Sequence, residues 1–355
     1  MNCDAGDSVA RVLQKELLMS DYRSAAASTF RENDPHRNAD NASDGGPPVN
    51  RRQLLCGSLG AAAVAGLTGT RVAAAVPARA VVNGRIKQSV VFWCFNVGGD
   101  MWSLDRTCEI TTMLGGKSVE IVGPEDFDTL KKHGLVCAIA SNGMPGAPFM
   151  KGLNNPLYHD EVIQRTKKVI DGCADAGFPS VIAFTGYKWR DADDPNSGEI
   201  PLEEGMDNCV AGLKKLAPYA EKKGVTICLE HLNTRDDSHP MKGHPGYQGD
   251  DVDQVAAMLR RVGSDRVKLL FDIYHVQVMN GDVMRRIDQM QDIIGHVHTA
   301  GCPGRAELDD TQEVQFAPIM RKLLEVGYKG YVGQEFIPTR DPLVGLTEAM
   351  KLCDV

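Results

Sequence analysis

Val225-Thr226-Ile227-Cys228-Leu229-Glu230 ends on a glutamate, and Leu269-Leu270-Phe271-Asp272 ends on an aspartate. Gly295-His296-Val297-His298-Thr299 closes around a histidine and Val332-Gly333-Gln334-Glu335-Phe336 around a glutamate. Each run leads into a loop and then a helix-like segment. Side chains alternate along a strand, so Thr226, Cys228 and Glu230 share one face while Ile227 and Leu229 take the other. The same count pairs Leu270 with Asp272, His296 with His298, and Gly333 with Glu335. The apolar set would face covering helices, and the acids and imidazoles would point into a shared interior. Two glutamates, an aspartate and a histidine converging at strand C-termini make a site for a hard divalent cation.

Working outward, strand-like and helix-like segments alternate from residue 88 onward, as a βα-repeat architecture requires. Further strands are expected at Val90–Phe95, Ser118–Val122, Leu135–Ala140 and Ser180–Thr185. Helices are expected at Leu104–Leu114, Phe127–His133, Asp160–Ala176, Leu202–Lys223, Asp251–Val262, Val283–Ile294, Phe316–Val326 and Leu343–Leu352. Several of these stop at a glycine suited to the residue after a helix, as in Lys223-Gly224 and Ile294-Gly295. Eight strand–helix pairs match an α/β fold of the (β/α)8 TIM barrel type, whose sites lie at the C-terminal strand ends. A doubly wound open sheet is the structural alternative. Asn96-Val97-Gly98-Gly99-Asp100 does not fit a dinucleotide fingerprint.

The barrel is assigned to residues 88–355, because the preceding segment reads differently. Residues 1–49 are rich in Asp, Asn, Ser, Arg and Pro and read as a disordered extension. Residues 50–80 open with Arg51-Arg52, continue through an uncharged Ala, Gly and Leu stretch to Thr70, and offer Ala73-Ala74-Ala75 or Ala78-Arg79-Ala80 for cleavage. That is the pattern of a twin-arginine signal. It implies export to the periplasm, with no stable membrane span after cleavage because the apolar run is short. The position of the signal, with Val49 where an initiator would stand, leads to the expectation that residues 1–48 come from a misassigned start.

Charge excludes one class of partner. The first 80 residues carry 9 basic and 8 acidic side chains, so of the chain's 39 basic and 47 acidic residues the remaining 275 hold 30 and 39. An acidic domain without a basic stripe is a poor polyanion binder, so nucleic acid is not an expected partner. Eight cysteines (Cys94, Cys108, Cys137, Cys173, Cys209, Cys228, Cys302 and Cys353) lie past residue 80 with no C-x-x-C pair, and read as buried free thiols.

With the quartet in view, the C-terminal half resembles the xylose-isomerase-like TIM-barrel superfamily and, within it, the hydroxypyruvate isomerases. The resemblance rests on Phe271-Asp272-Ile273-Tyr274-His275-Val276-Gln277, on Gly295–Arg305 with its Pro303-Gly304-Arg305, and on Gly327-Tyr328-Lys329-Gly330 through Glu335. It covers residues 88–350 as an architecture and is close from Glu230 onward. It implies one divalent ion, Mg²⁺ or Mn²⁺, held by Glu230, Asp272, His298 and Glu335, with Glu230 and Glu335 as proton donor and acceptor. The chain departs from the pattern where His298 replaces a glutamine, a feature more typical of the keto-sugar epimerases, and where Ala306-Glu307-Leu308 replaces His-Glu-Pro.

The chemistry that suits such residues is movement of a carbonyl between adjacent carbons of a small hydroxy-carbonyl compound. A metal stabilises the intermediate enediolate, and two carboxylates serve as base and acid. His275, three residues past Asp272, is placed to hydrogen-bond a substrate oxygen. Arg305, after a Pro-Gly turn, is placed to clamp a carboxylate bidentately, and Lys188 is a third substrate-binding candidate. His296, one layer deeper than His298, reads as a satisfied core histidine, while His231, His239 and His244 read as residues of a loop over the site. The leading expectation is an isomerase converting hydroxypyruvate to tartronate semialdehyde. A ketose 3-epimerase on the same residues is the alternative, and a non-catalytic exported sugar-binding barrel a third; any of these permits a homo-oligomer. An apurinic-site endonuclease would need histidines where Val122-Gly123 and Ser141-Asn142 stand.

Overall fold

The structure, a computed structural model, describes residues 79–97 and 100–355. The expected extension and most of the twin-arginine segment, residues 1–78, lie outside the described residues. The strands are β1 (Lys87–Val91), β2 (Ser118–Glu120), β3 (Ser180–Phe184), β4 (Trp189–Asp191), β5 (Asp194–Glu199), β6 (Thr226–Glu230), β7 (Val267–Asp272), β8 (Ile294–Thr299) and β9 (Tyr331–Gln334). Seven of them form one parallel sheet in the order β2-β1-β9-β8-β7-β6-β3, while β4 and β5 make a separate hairpin. The helices are α1 (Leu104–Leu114), α2 (Phe127–Lys132), α3 (His159–Ala176), α4 (Leu202–Lys223), α5 (Val252–Val262), α6 (Ile273–Met279), α7 (Val283–Met290), α8 (Phe316–Glu325) and α9 (Pro342–Leu352).

The expected strand at Leu135–Ala140 is reduced to two isolated bridges, Ser118 to Val136 and Ala140 to Val181. Two serine side chains explain the interruption. Ser118 Oγ accepts the Ala138 N–H at 2.8 Å, and Ser180 Oγ donates to the Ala138 carbonyl at 2.6 Å. Hydroxyls thus take the places of ladder partners, and no peptide group of Ala138 is left unbonded. Because the segment touches β2 on one side and β3 on the other, it joins the two sheet edges into a barrel.

Three other expectations are corrected. The first strand ends at Val91 and turns into a 3₁₀ helix over Phe92–Asn96. An additional helix, α6, starts directly after β7 because the Asp272 side chain accepts the Tyr274 N–H at 2.8 Å and caps it. The helix expected over Val283–Ile294 stops at Met290, and Ile294-Gly295 opens β8 instead of ending a helix.

Alternation along the strands sorts the core into two layers. Ile227, Leu229, Leu269, Phe271, Val297 and Val332 pack outward with the helices in the main cluster. Inside the barrel, Ile139, Ile182, Phe184, Cys228 and Leu270 form a second cluster with Phe149, Leu232 and Tyr247. Each large side chain so buried contributes about 1.5–3 kcal/mol from its removal from water. The other half of the interior is polar, holding Glu120, His296 and His298, all buried. At its centre Gly333 is required: a Cβ there would fall 2.0 Å from Glu120 Oε1. The eight cysteines past residue 80 are free and buried. Among the described residues no helix is long and apolar enough to cross a membrane.

Candidate active site and metal centre

Each member of the quartet stands at the end of its strand, where the chain turns outward. Glu230 is the last residue of β6 and Asp272 of β7, His298 is next to last in β8, and Glu335 follows β9 directly. All four are buried, and one ligand atom from each lies within 4.8 Å of the others. His298 Nδ1 is 2.7 Å from Glu335 Oε2 and 3.7 Å from Glu230 Oε1. Asp272 divides its labour: Oδ1 caps α6, leaving Oδ2 toward the site, 3.5 Å from His275 Nε2 and 3.4 Å from Arg305 Nη2.

Two residues not anticipated from sequence complete the arrangement. The Nε2 atoms of His296 and His298 lie 3.1 and 3.0 Å from a single oxygen, Glu120 Oε1. The Trp93 indole, brought to the barrel mouth by the 3₁₀ turn, donates to Glu335 Oε1 at 3.1 Å. Glu120 did carry a signal, since it ends a short strand on an inward-facing position as the quartet does. Trp93 carried none, because a strand continued to Phe95 would not have curled there.

The substrate-binding candidates divide. His275 is buried beside the quartet; its Nδ1 accepts the Asn233 backbone N–H at 3.0 Å, so its proton sits on Nε2, directed at the site. Arg305 is buried too, with Nη2 2.6 Å from Glu335 Oε2, Nη1 donating to the Met241 carbonyl at 2.7 Å, and the guanidinium over the rings of Trp93 and Tyr274. It holds this place from a left-handed backbone (φ 52°), a conformation that costs a non-glycine residue energy and that functional sites tolerate. Lys188 is not drawn into the cluster: its ammonium pairs with Glu199 of the hairpin at 2.7 Å and lies over the Trp189 ring. His231 and His244 are buried, and His244 packs on Phe149 with ring centroids 4.2 Å apart.

Burial and mutual repulsion split the titrations. Desolvation, reinforced by Glu335, raises the Glu230 carboxyl, and desolvation pushes Asp272 up to about 7 despite Arg305. Glu335 is also desolvated, but Arg305 and His298 outweigh that and hold it well below the usual carboxylate range. Glu120 likewise loses solvation yet sits at about 2 because two imidazoles face it. Burial keeps His231 near 4, His244 near 3 and His275 far below the ordinary histidine value.

This donor set fits a divalent ion. Glu230 Oε1, His298 Nδ1 and Glu335 Oε2 are buried without a hydrogen-bond partner, and with Asp272 they present three carboxylates and one imidazole to a common point. Arg305 offsets part of the negative charge at Glu335 Oε2, but three carboxylates buried this close together remain costly unless a further cation meets them. The histidine is oriented through its other nitrogen by a carboxylate, as metal-ligating imidazoles usually are.

Comparison with known proteins agrees with the fold. A putative hydroxypyruvate isomerase from Homo sapiens is 38% identical over 135 residues, covering 38% of this chain and 47% of that protein. A 2-oxo-tetronate isomerase from Cupriavidus necator is 31% identical over 169 residues, covering 46% of this chain and 62% of its own length. The chain therefore spans between about half and two-thirds of these relatives. A crystal structure described as an AP endonuclease, family 2, from Brucella melitensis superposes with a TM-score of 0.60 at 21% identity, covering 74% of this chain and 97% of that one; at that identity the likeness concerns the fold alone. Residues 128–353 match the family described as xylose isomerase-like TIM barrel, and this chain belongs to that family.

Proposed function

We propose that the protein is a divalent-metal-dependent isomerase of a small hydroxy-carbonyl acid, interconverting hydroxypyruvate and tartronate semialdehyde. The observation that carries this reading is the quartet of Glu230, Asp272, His298 and Glu335, with ligand atoms within 4.8 Å, beside a buried guanidinium suited to a carboxylate. Mg²⁺ or Mn²⁺, the ions such ligands favour, would be held by these four residues and would stabilise charge on the carbonyl and hydroxyl oxygens of the substrate.

The chain's own residues do the rest. Glu335, the ionised carboxylate, takes a proton from C3 of hydroxypyruvate, leaving an enediolate across C2 and C3. Glu230, the second glutamate of the quartet, returns a proton to C2. The hydroxyl proton leaves O3 and one is gained at O2, so atoms balance. His275, neutral with its proton on Nε2, donates to a substrate oxygen. Arg305, with five N–H donors, takes the substrate carboxylate in exchange for part of its contact with Glu335 and Asp272.

A ketose 3-epimerase is the second reading, favoured by the imidazole of His298 on β8. The test is a panel of hydroxypyruvate, tartronate semialdehyde, 2-oxo-tetronate and free ketoses, run on the purified protein with Mg²⁺ or Mn²⁺ and after chelation. Isomerisation of an acid, lost on chelation and restored by the ion, is expected. Turnover of neutral ketoses alone would replace this reading with the epimerase. The twin-arginine segment supports export to the periplasm, tested by whether Arg51→Lys with Arg52→Lys retains a fused reporter in the cytoplasm.

A further inference from the structure

We propose that Glu120 is a positioning residue, which fixes the tautomer and orientation of His298 so that its Nδ1 lone pair enters the carboxylate cluster, with His296 as a second strut of the same clamp. The proposal rests on the metal-binding reading above. Glu120 ends β2, and its Oε1 meets Nε2 of His298 at 3.0 Å and Nε2 of His296 at 3.1 Å in a fully buried interior. A nitrogen at that distance from a carboxylate oxygen must carry its proton, since the other tautomer would set two lone pairs against each other away from water. With the Nε2 proton held by Glu120, Nδ1, the atom 2.7 Å from Glu335 Oε2, is the nitrogen whose proton a bound cation would displace.

The surroundings leave the clamp little freedom. The two imidazoles meet edge to face, with centroids 4.9 Å apart and planes at 89°. Gly333 on the neighbouring strand clears the space: a Cβ there would stand 2.0 Å from Glu120 Oε1 and 2.8 Å from His298 Cδ2. Glu120, His296 and His298 also form a three-residue group whose ligand atoms lie together. An ion among them would require both Nε2 atoms to be deprotonated and the His298 ring to bridge two cations. The hydrogen-bond clamp requires neither.

The test compares Glu120→Gln and Glu120→Ala with the parent, using Mn²⁺ titration calorimetry, thermal unfolding, and long-range ¹H–¹⁵N spectra of histidine-labelled protein. Gln keeps a carbonyl acceptor and is expected to bind Mn²⁺ within about tenfold of the parent, whereas Ala should weaken binding about 10–100-fold. The parent spectrum should show His298 protonated at Nε2. A folded Glu120→Ala protein with parental Mn²⁺ affinity overturns the proposal, as does a His298 proton on Nδ1 in the Mg²⁺-loaded parent. If Glu120→Ala does not fold, the Gln variant and the parent spectrum still decide it. A parent that binds no Mn²⁺ but shows the Nε2 proton would sink the metal reading and leave the clamp standing.

Discussion

Gly333→Ala adds one methyl group, and the geometry says where it goes: 2.0 Å from Glu120 Oε1, 2.8 Å from His298 Cδ2 and 3.0 Å from Glu120 Cδ. Ordinary contacts between non-bonded heavy atoms lie near 3.5–4.0 Å, so the Glu120 carboxylate must retreat by more than about 1 Å. It is buried and bonded to two imidazoles, so retreat sacrifices hydrogen bonds worth about 1.5–3 kcal/mol each. Overpacking adds about 1–3 kcal/mol. Losing one of the two bonds and keeping a strained core gives a cost of about 4 kcal/mol, a fall in the unfolding midpoint of roughly 8 °C for a domain of this size. Urea denaturation and calorimetry measure it directly. The decisive comparison is the same substitution in a Glu120→Ala background, where the obstructing carboxylate is gone and the added cost should fall below about 1 kcal/mol, a coupling of at least about 2 kcal/mol. If Gly333→Ala costs the same in both backgrounds, Glu120 is not what fills the space, and the reasoning about the interior is wrong.

Three further outcomes are expected. Glu335→Gln and Glu230→Gln should each lower kcat about 10²–10⁴-fold while Mn²⁺ stays bound, checked by steady-state kinetics beside metal analysis; parental kcat in either variant removes that residue from proton transfer. Asp272→Asn should weaken metal binding, with activity recovered at high metal, and keep α6 because an asparagine oxygen still caps it; parental metal affinity would remove Asp272 from the ligand set. Arg305→Ala should raise KM for an anionic substrate and, in chelated protein, cost about 3–5 kcal/mol because Glu335 and Asp272 lose a buried partner; unchanged denaturation under chelation would refute that pairing.

The quartet was legible because a period of two is rigid: once Leu270 and Asp272, or His296 and His298, share a face, the hydrophobic pattern decides which face is interior. The helices were legible from their apolar spacing and from their ends, as at Lys223-Gly224, where Gly224 takes a left-handed backbone at φ 71°. Less was readable where side chains replace backbone partners. Nothing local in Leu135–Ala140 reveals that hydroxyls of Ser118 and Ser180, distant in sequence, will take up the Ala138 peptide groups. The brevity of the first strand and the hairpin of β4 and β5 were not readable from local pattern either.

By itself, then, the sequence determined the alternation of strands and helices, the inward direction of Glu230, Asp272, His298 and Glu335, and the hard-cation character of that set. These follow from local periodicity and from ligand chemistry, which one segment at a time can express. Tertiary structure alone decided that Arg305 lies between Glu335 and Asp272, that Trp93 reaches Glu335, that Lys188 turns to Glu199, and that Glu120 joins His296 to His298. Each of these pairs residues far apart along the chain, and only closure of the barrel sets the distances, burial and competing partners that choose among the contacts each side chain is able to make.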